Sequence, residues 1–221
     1  LRQFCLSFLH IIKFINIKND ICLGEKMKKI LSSTGALIGM PNNRDFSLIK
    51  KCVPNINSDG FEFMMYSTWY DKVPNLLKEL KKCETEFPVM HCEKHIGEDL
   101  GKNADDNFYT AKEKFKVNCE IANEIGAKRM VMHLWDGIYS DTTIENNIKG
   151  YGELIKIAEE NEIDLHIENV VCNHHDPLSN WKRLLNEYHD AKLIFDTKMQ
   201  LSIIKWKPYM KIKIKNYGKT T

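Results

Sequence analysis

The chain has 221 residues, of which 43% are hydrophobic, enough to bury a substantial core and to exclude disorder for most of its length. With 32 Lys and Arg against 30 Asp and Glu the formal net charge is +2, a balance that neither demands an anionic partner nor by itself points to nucleic acid. The 7 Cys, at 5, 22, 52, 83, 92, 119 and 172, are odd in number and lack a Cys-x-x-Cys pair, which fits a reducing, cytoplasmic compartment better than a disulfide scaffold.

In chain order, an apolar run from Phe4 to Ile17 is interrupted by Ser7, His10, Lys13 and Asn16, so its pieces are too short to span a bilayer. It ends in Asn-Ile-Lys-Asn-Asp without the small residues of a signal-peptide cleavage site. Met27-Lys-Lys-Ile has the character of a natural start running into a strand, so residues 1–26 are expected to be a leader or extension; an amphipathic N-terminal arm is the alternative.

From Lys29 strands and helices alternate. Ile30-Leu31, running into Ser32-Ser-Thr-Gly35, predicts strand one, and Gly39-Met-Pro41 opens a loop before a short helix around Phe46, Leu48 and Ile49. Gly60 to Tyr66 is strand two, Pro74 starts a short helix bearing Leu76, Leu77 and Leu80, and Pro88 to Glu93 is strand three. A longer helix from about Asn107 to Ile125 aligns Phe108, Ala111, Phe115, Cys119 and Ala122, and Gly126 ends it. Arg129 to Trp135 is strand four. Thr142 with Glu145 predicts a capping box for a helix carrying Ile144, Ile148, Tyr151, Ile155 and Ala158 at the helical period.

The most informative stretch runs from Asp164 to Thr197. A strand of Leu165 and Ile167 ends at Glu168, Asp176-Pro177 caps a helix with Leu178, Trp181, Leu184, Leu185 and Tyr188 on one stripe, and Leu193, Ile194 and Phe195 form a strand ending at Asp196. A right-handed crossover makes the two strands parallel. The whole pattern permits a doubly wound sheet or a (β/α)8 TIM barrel. No Gly-x-Gly-x-x-Gly follows strand one, so neither a nucleotide nor a flavin is expected, and a barrel of class α/β is favoured. Residues 27–199 would form it, incomplete at about six strands. After Gln200 the character changes to Lys205, Lys207, Lys211, Lys213, Lys215 and Lys219 with no acid beyond Asp196. This atypical basic tail, 200–221, is expected to reflect truncation or a change of frame; the alternative is a smaller α/β protein ending in a basic edge strand.

His91, His133, Glu168 and Asp196 close strands three to six, and the strand ends of a barrel converge on one pocket. Two imidazoles and two carboxylates are N and O donors suited to one divalent ion, Mn, Mg, Co or Zn. Alone, each histidine would more often be a hydrogen-bonded, half-buried residue, and each acid could pair with a neighbouring Lys or Arg. Around them, Glu93, Lys94 and His95, then Trp135 and Asp136, then Asn169, and finally Tyr66, Trp69 and Tyr70 are placed to line a pocket. Glu93, His95, Tyr66, Trp135 and Asn169 are the candidates to bind substrate, while His174 and His175 border its entrance without being ligands.

These fragments carry a resemblance. Ser32-Ser-Thr-Gly35, Gly60-Phe-Glu-Phe, Pro88-Val-Met-His91, the block from Glu120 to His133, His166-Ile-Glu-Asn169 and Phe195-Asp-Thr197 resemble the sugar-phosphate isomerase/epimerase superfamily, the xylose-isomerase-like barrels that include endonuclease IV. The resemblance implies a divalent metal held by Glu168 and Asp196 and, as in the endonuclease branch, by His91 and His133. It implies further ligands from a strand-seven His and a strand-eight Glu, which have no match here. Where many members carry a His three residues beyond the strand-six Asp, this chain has Met199. The function so implied is isomerisation or epimerisation of a small sugar or sugar phosphate, with Glu168 as acid–base and ligand, and with inactivity of the truncated chain an open outcome. Two alternatives stand beside it: an abasic-site endonuclease, disfavoured by the near-neutral charge, and a non-catalytic incomplete barrel whose open edges would drive a homo-oligomer.

Overall fold

A computed structural model describes residues 29–102, 105–137 and 140–199. The expectations for residues 1–26 and 200–221 lie outside the described residues. Six strands, β1 (Ser32–Ser33), β2 (Phe61–Met64), β3 (Val89–His91), β4 (Arg129–Met132), β5 (Asp164–Glu168) and β6 (Lys192–Ile194), pair in chain order, each parallel to the next. Between them lie α1 (Thr34–Leu37), α2 (Ile49–Cys52), α3 (Val73–Leu80), α4 (His95–Gly101), α5 (Asp105–Glu124), α6 (Ile144–Glu160) and α7 (Pro177–Glu187), with short 3-10 turns in the first two connections.

That order separates the two expected topologies. When every crossover steps to the next strand in the same direction, right-handedness puts every helix on the same side of the sheet, whereas a doubly wound sheet must reverse direction. The uncovered side can then be buried only by curling. On the concave face that results, the side chains of His91 and Glu168 meet across β4, with Nε2 3.1 Å from Oε2. The fold is therefore a curled parallel α/β sheet of the TIM-barrel kind.

Alternation sorts the strand residues. Phe61, Phe63, Met90, Met130, Met132, Leu165 and Ile167 point outward into the main core with the helices, while Val89, Val131 and Ile194 form a small apolar cluster, joined by Leu31, on the concave face. Toward the carboxyl ends of β3 and β5 come His91 and Glu168; toward the amino ends of β5 and β6 lie Asp164, His166 and Lys192. An apolar layer thus separates two polar ends.

Local chemistry explains several boundaries. The Asp176 carboxylate accepts from the amides of Leu178 and Ser179 at 3.1 and 3.0 Å, with Pro177 in the first turn, so α7 begins where its capping sequence requires. Gly126 adopts φ +77 just past α5, and Ala127 N–H closes back onto Ala122 O at 2.8 Å. The long helix after strand three spans Asp105–Glu124, close to expectation.

Other expectations are corrected. Thr142 is not a cap: α6 starts at Ile144 after Thr143, whose hydroxyl donates to Gly101 O, and Glu145 pairs with Arg183. On α7 the buried face is Pro177, Asn180, Trp181 and Leu184, leaving Leu178 53% exposed. The short α4 was not anticipated, because its glycines disfavour a helix when read locally. Packing decides it. A Cβ on Gly97 would fall far inside contact distance of the carbonyl oxygen of His133, so only glycine lets α4 lie against the end of β4. Asn147 on α6 locks the contact, donating Nδ2 to Gly97 O at 2.7 Å and to Leu134 O at 2.8 Å. Among the described residues, no helix is long and apolar enough to cross a membrane.

Candidate metal centre

Three strand ends bring His91, His133 and Glu168 together on the concave face, each at most 2% exposed. Glu168 Oε2 lies 3.1 Å from Nε2 of His91 and 2.9 Å from Nε2 of His133, and the two rings meet edge to face with centroids 4.8 Å apart. The far nitrogens decide what this cluster can hold. His91 Nδ1 is 2.8 Å from Cys92 O, and His133 Nδ1 is 2.6 Å from the Asp136 carboxylate. A carbonyl and a carboxylate only accept, so both Nδ1 atoms carry hydrogen and donate. Each neutral imidazole then turns an Nε2 lone pair toward an anionic oxygen.

Three electron pairs directed at one buried point require a positive charge there, either protons on the imidazoles or a metal cation. The ionisation of the groups agrees. Burial alone would push Glu168 up, but the imidazoles of His133 and His91 more than reverse it and hold the carboxyl far below the usual range. Burial would push His133 down, yet its hydrogen bonds to Asp136 and Glu168 outweigh that and leave it above its ordinary value. Asp136 is likewise held low despite its burial, by His133 first and by the Gly137 amide after it.

The donor set fits a divalent ion. Donors sharing a tetrahedral cation at ~2.1 Å stand roughly 3.4 Å apart; the two nitrogen–oxygen pairs here stand at 2.9 and 3.1 Å, and all three donor atoms lie within 4.8 Å of one another. Two nitrogens and one oxygen leave positions open, as catalytic rather than structural sites do. The triad opens on a cavity of about 640 Å³, in the range of small-molecule sites.

The remaining candidates divide between that cavity and the core. Asp196 lies on the cavity wall outside the close cluster, and its Oδ1 accepts from the amides of Lys198 and Met199 at 2.7 and 3.3 Å. Glu93, His95 and Tyr66 also line the cavity; the Tyr66 hydroxyl donates to Ile38 O at 2.7 Å, and the Arg44 guanidinium sits 4.7 Å from its ring centre. Trp135 and Asn169 do not line it. Trp135 faces the outer core and donates Nε1 to Val170 O at 3.0 Å. Asn169 spends its amide on the backbone of residue 196, Nδ2 to the carbonyl and Oδ1 from the N–H, tying the ends of β5 and β6 together. Trp69 is buried against Phe46, Phe63 and Tyr66 and donates to Arg44 O.

Sequence reasoning missed Asp141. It is wholly buried and accepts from the amides of Asn173, His174 and His175 at 2.7, 2.9 and 2.6 Å, and from His175 Nδ1 at 2.9 Å. This carboxylate pins the loop after β5, which explains why His174 and His175 sit away from the cavity. An acid in a polar loop carries no local sign of such a role.

Fold and site together define a class: a curled parallel α/β barrel sheet with a histidine–carboxylate metal-type centre at the carboxyl ends of its strands. No protein-family model matches the sequence, and no curated protein matches it. Solved structures of the same fold do. The chain is similar to the apo 3-keto-D-glucoside 4-epimerase YcjR of E. coli, with 12% identity and a TM-score of 0.53, covering 75% of this chain and 66% of that one. It is equally similar to the TTHB071 protein of Thermus thermophilus soaked with ZnCl2, with 18% identity and a TM-score of 0.53 over 68% of this chain and 62% of that one. D-psicose 3-epimerase of Clostridium cellulolyticum H10, solved with D-tagatose, gives 13% identity and a TM-score of 0.51 over 69% and 58%. The chain thus spans less than two thirds of the length of these structures, and at such identities the likeness is one of fold.

Proposed function

We propose that this chain carries a divalent-metal-dependent isomerase or epimerase site for a small sugar or sugar phosphate. The observation that carries the reading is the pair of imidazoles held by Cys92 O and Asp136 with both Nε2 atoms turned on Glu168. The solved structures of the same fold named as sugar epimerases support the substrate class, and the zinc-soaked neighbour supports a metal.

When bound, the cation would act as a Lewis acid toward a carbonyl and its neighbouring hydroxyl. His91, His133 and Glu168 would hold it, with Asp196 as a further oxygen donor from the neighbouring strand. Glu168 would exchange a proton with the carbon beside the carbonyl, from its place on the cavity wall. Tyr66 and His95 would meet the hydroxyls along the cavity. The test is to incubate the chain with Mn²⁺, Mg²⁺, Co²⁺ or Zn²⁺ in D2O with a panel of ketoses, aldoses and their phosphates. Deuterium entering beside the carbonyl, lost in Glu168→Gln, is the expected result; no exchange with any pair of metal and sugar would refute the reading.

One feature favours a second reading. Histidines from both β3 and β4 facing Glu168 match what the resemblance implies for the endonuclease branch, so hydrolysis at abasic DNA is the competing activity. A salt-dependent gel shift with an abasic duplex separates them, because the isomerase reading expects none.

A further inference from the structure

The cavity holds a second histidine–carboxylate unit that the metal-type centre does not use. Glu93 is buried just past β3, with its backbone N–H donated to Oδ1 of the fully buried Asn118 at 3.1 Å. Its Oε1 accepts twice from His95, from the backbone N–H at 3.0 Å and from Nδ1 at 2.5 Å. Its Oε2 is buried with no hydrogen-bond partner among the described residues. The hydrogen bonds of the carboxylate therefore go to one residue, His95, through its backbone N–H and its imidazole. Because a carboxylate only accepts, Nδ1 of His95 carries the hydrogen and Nε2 is the atom left to exchange protons.

His95 differs from His91 and His133 in where its ring lies. Its side chain is 56% exposed while lining the same cavity, so the ring stands between the cavity and bulk water. The frame is rigid. His95 opens α4, and two residues on, Gly97 lies against the carbonyl of His133 with Asn147 bridging the two backbones. One helix thus ties this unit to the strand that supplies a candidate ligand.

We propose that His95, oriented by the buried carboxylate of Glu93, is a second proton-transfer residue of this cavity, working from a different side of the substrate than Glu168. Its role rests on the isomerase reading. Glu168 takes the proton from the carbon beside the carbonyl; the C–H pair forms the enediolate double bond and the negative charge goes to oxygen. The His95 imidazolium then gives its Nε2 proton to carbon, from the opposite face for an epimer or, for an isomer, at the neighbouring carbon while the hydroxyl proton passes to the other oxygen. A C–H bond forms, the carbonyl returns, and the imidazole is left neutral. Glu168 has gained one proton and His95 has lost one; Glu168 gives its proton to water in the open cavity and His95 takes one from water at its exposed ring, which resets the pair. Glu93 touches no substrate and acts by positioning.

The experiment uses the full chain loaded with Mn²⁺. His95→Ala should keep Mn²⁺ binding and the Glu168-dependent deuterium exchange at carbon, while product formation falls by about 10²–10⁴-fold. Added free imidazole should restore part of the loss, since the vacated space opens to solvent. Glu93→Gln should lower kcat with little change in KM, and Glu93→Asp should recover part of it. Nitrogen-15 NMR should show His95 protonated at Nδ1 in the wild type and redistributed in Glu93→Gln. Product formation by His95→Ala within about twofold of wild type, a loss that imidazole does not rescue, or a wild-type proton on Nε2 would each overturn the proposal while leaving the isomerase reading standing. A wild type that turns over no sugar although His95 shows the Nδ1 proton would instead refute the isomerase reading, and the catalytic role of His95 with it.

Discussion

The two ends of β5 put nearly the same residues to opposite uses. On the concave face the strand presents Asp164, then His166, then Glu168. At the lower end Asp164 meets full cations: Lys192 Nζ at 2.5 Å and Arg129 Nε at 3.7 Å, with His166 Nε2 at 2.9 Å. At the upper end Glu168 meets two imidazoles whose outer nitrogens are already committed to acceptors. An acid compensated by fixed ammonium and guanidinium groups is a structural plug. An acid faced by locked imidazoles becomes a site, because the protons or metal between them can come and go.

Disturbing the upper end should cost most. Asp136→Asn leaves the fold intact but removes the carboxylate that holds the His133 tautomer, and should weaken metal affinity by about 10–100-fold, measured by dialysis; unchanged affinity would mean that the locked nitrogens do not matter. Gly97→Ala pushes α4 off the end of β4, since its Cβ would collide with His133 O. Denaturant unfolding should show a loss of about 1–3 kcal/mol or more, with weaker metal binding alongside.

The lower end should add a pH dependence of its own to stability. His166 is held below its ordinary 6.5, by burial above all, with Asp164 pulling the other way. The unfolded chain then binds that proton more readily, so the stabilisation is complete above about pH 6.5 and declines as the pH falls. Burial alone would raise the Asp164 carboxyl, but Lys192 and His166 hold it below 3.8. A second decline therefore follows below about pH 4. His166→Gln should flatten the first part of the profile of unfolding midpoint against pH and Asp164→Asn the second; with the Asp164 side chain 31% exposed, the latter costs about 1 kcal/mol at neutral pH. A profile untouched by both changes would contradict the plug. Smallest of all, Leu178→Ser on the exposed side of α7 should shift stability by no more than about 0.5 kcal/mol, where a residue on a buried stripe would cost several times that.

Legibility follows the same division. What depends on neighbours in sequence could be read: the Asp176-Pro177 start of α7, the Gly126 end of α5, the alternation of strands and the polar residues closing them. His91, His133 and Glu168 meet because each sits at a strand end, and the curl of a sheet wound in one direction brings those ends inward. What depends on distant contacts could not be read. Helix α4 exists because Gly97 abuts residue 133 and is held by Asn147, 50 positions away. Asn169 and Trp135 looked available for substrate from their place in the chain, yet each is taken by a backbone partner, at residues 196 and 170. A buried amide or indole satisfies its polar groups wherever the fold allows, and sequence position does not say where.

The proposed chemistry requires His91, His133 and Glu168 to share one exchangeable divalent cation through two Nε2 atoms and a carboxylate oxygen. Co²⁺ binding followed by dialysis, with X-ray absorption of the bound ion, is the decisive experiment. One strongly bound ion per chain is expected, with two imidazole nitrogens in its shell, lost in Glu168→Ala and in His133→Asn. A wild-type chain that binds no Co²⁺, or variants that bind it as the wild type does, would contradict that sharing.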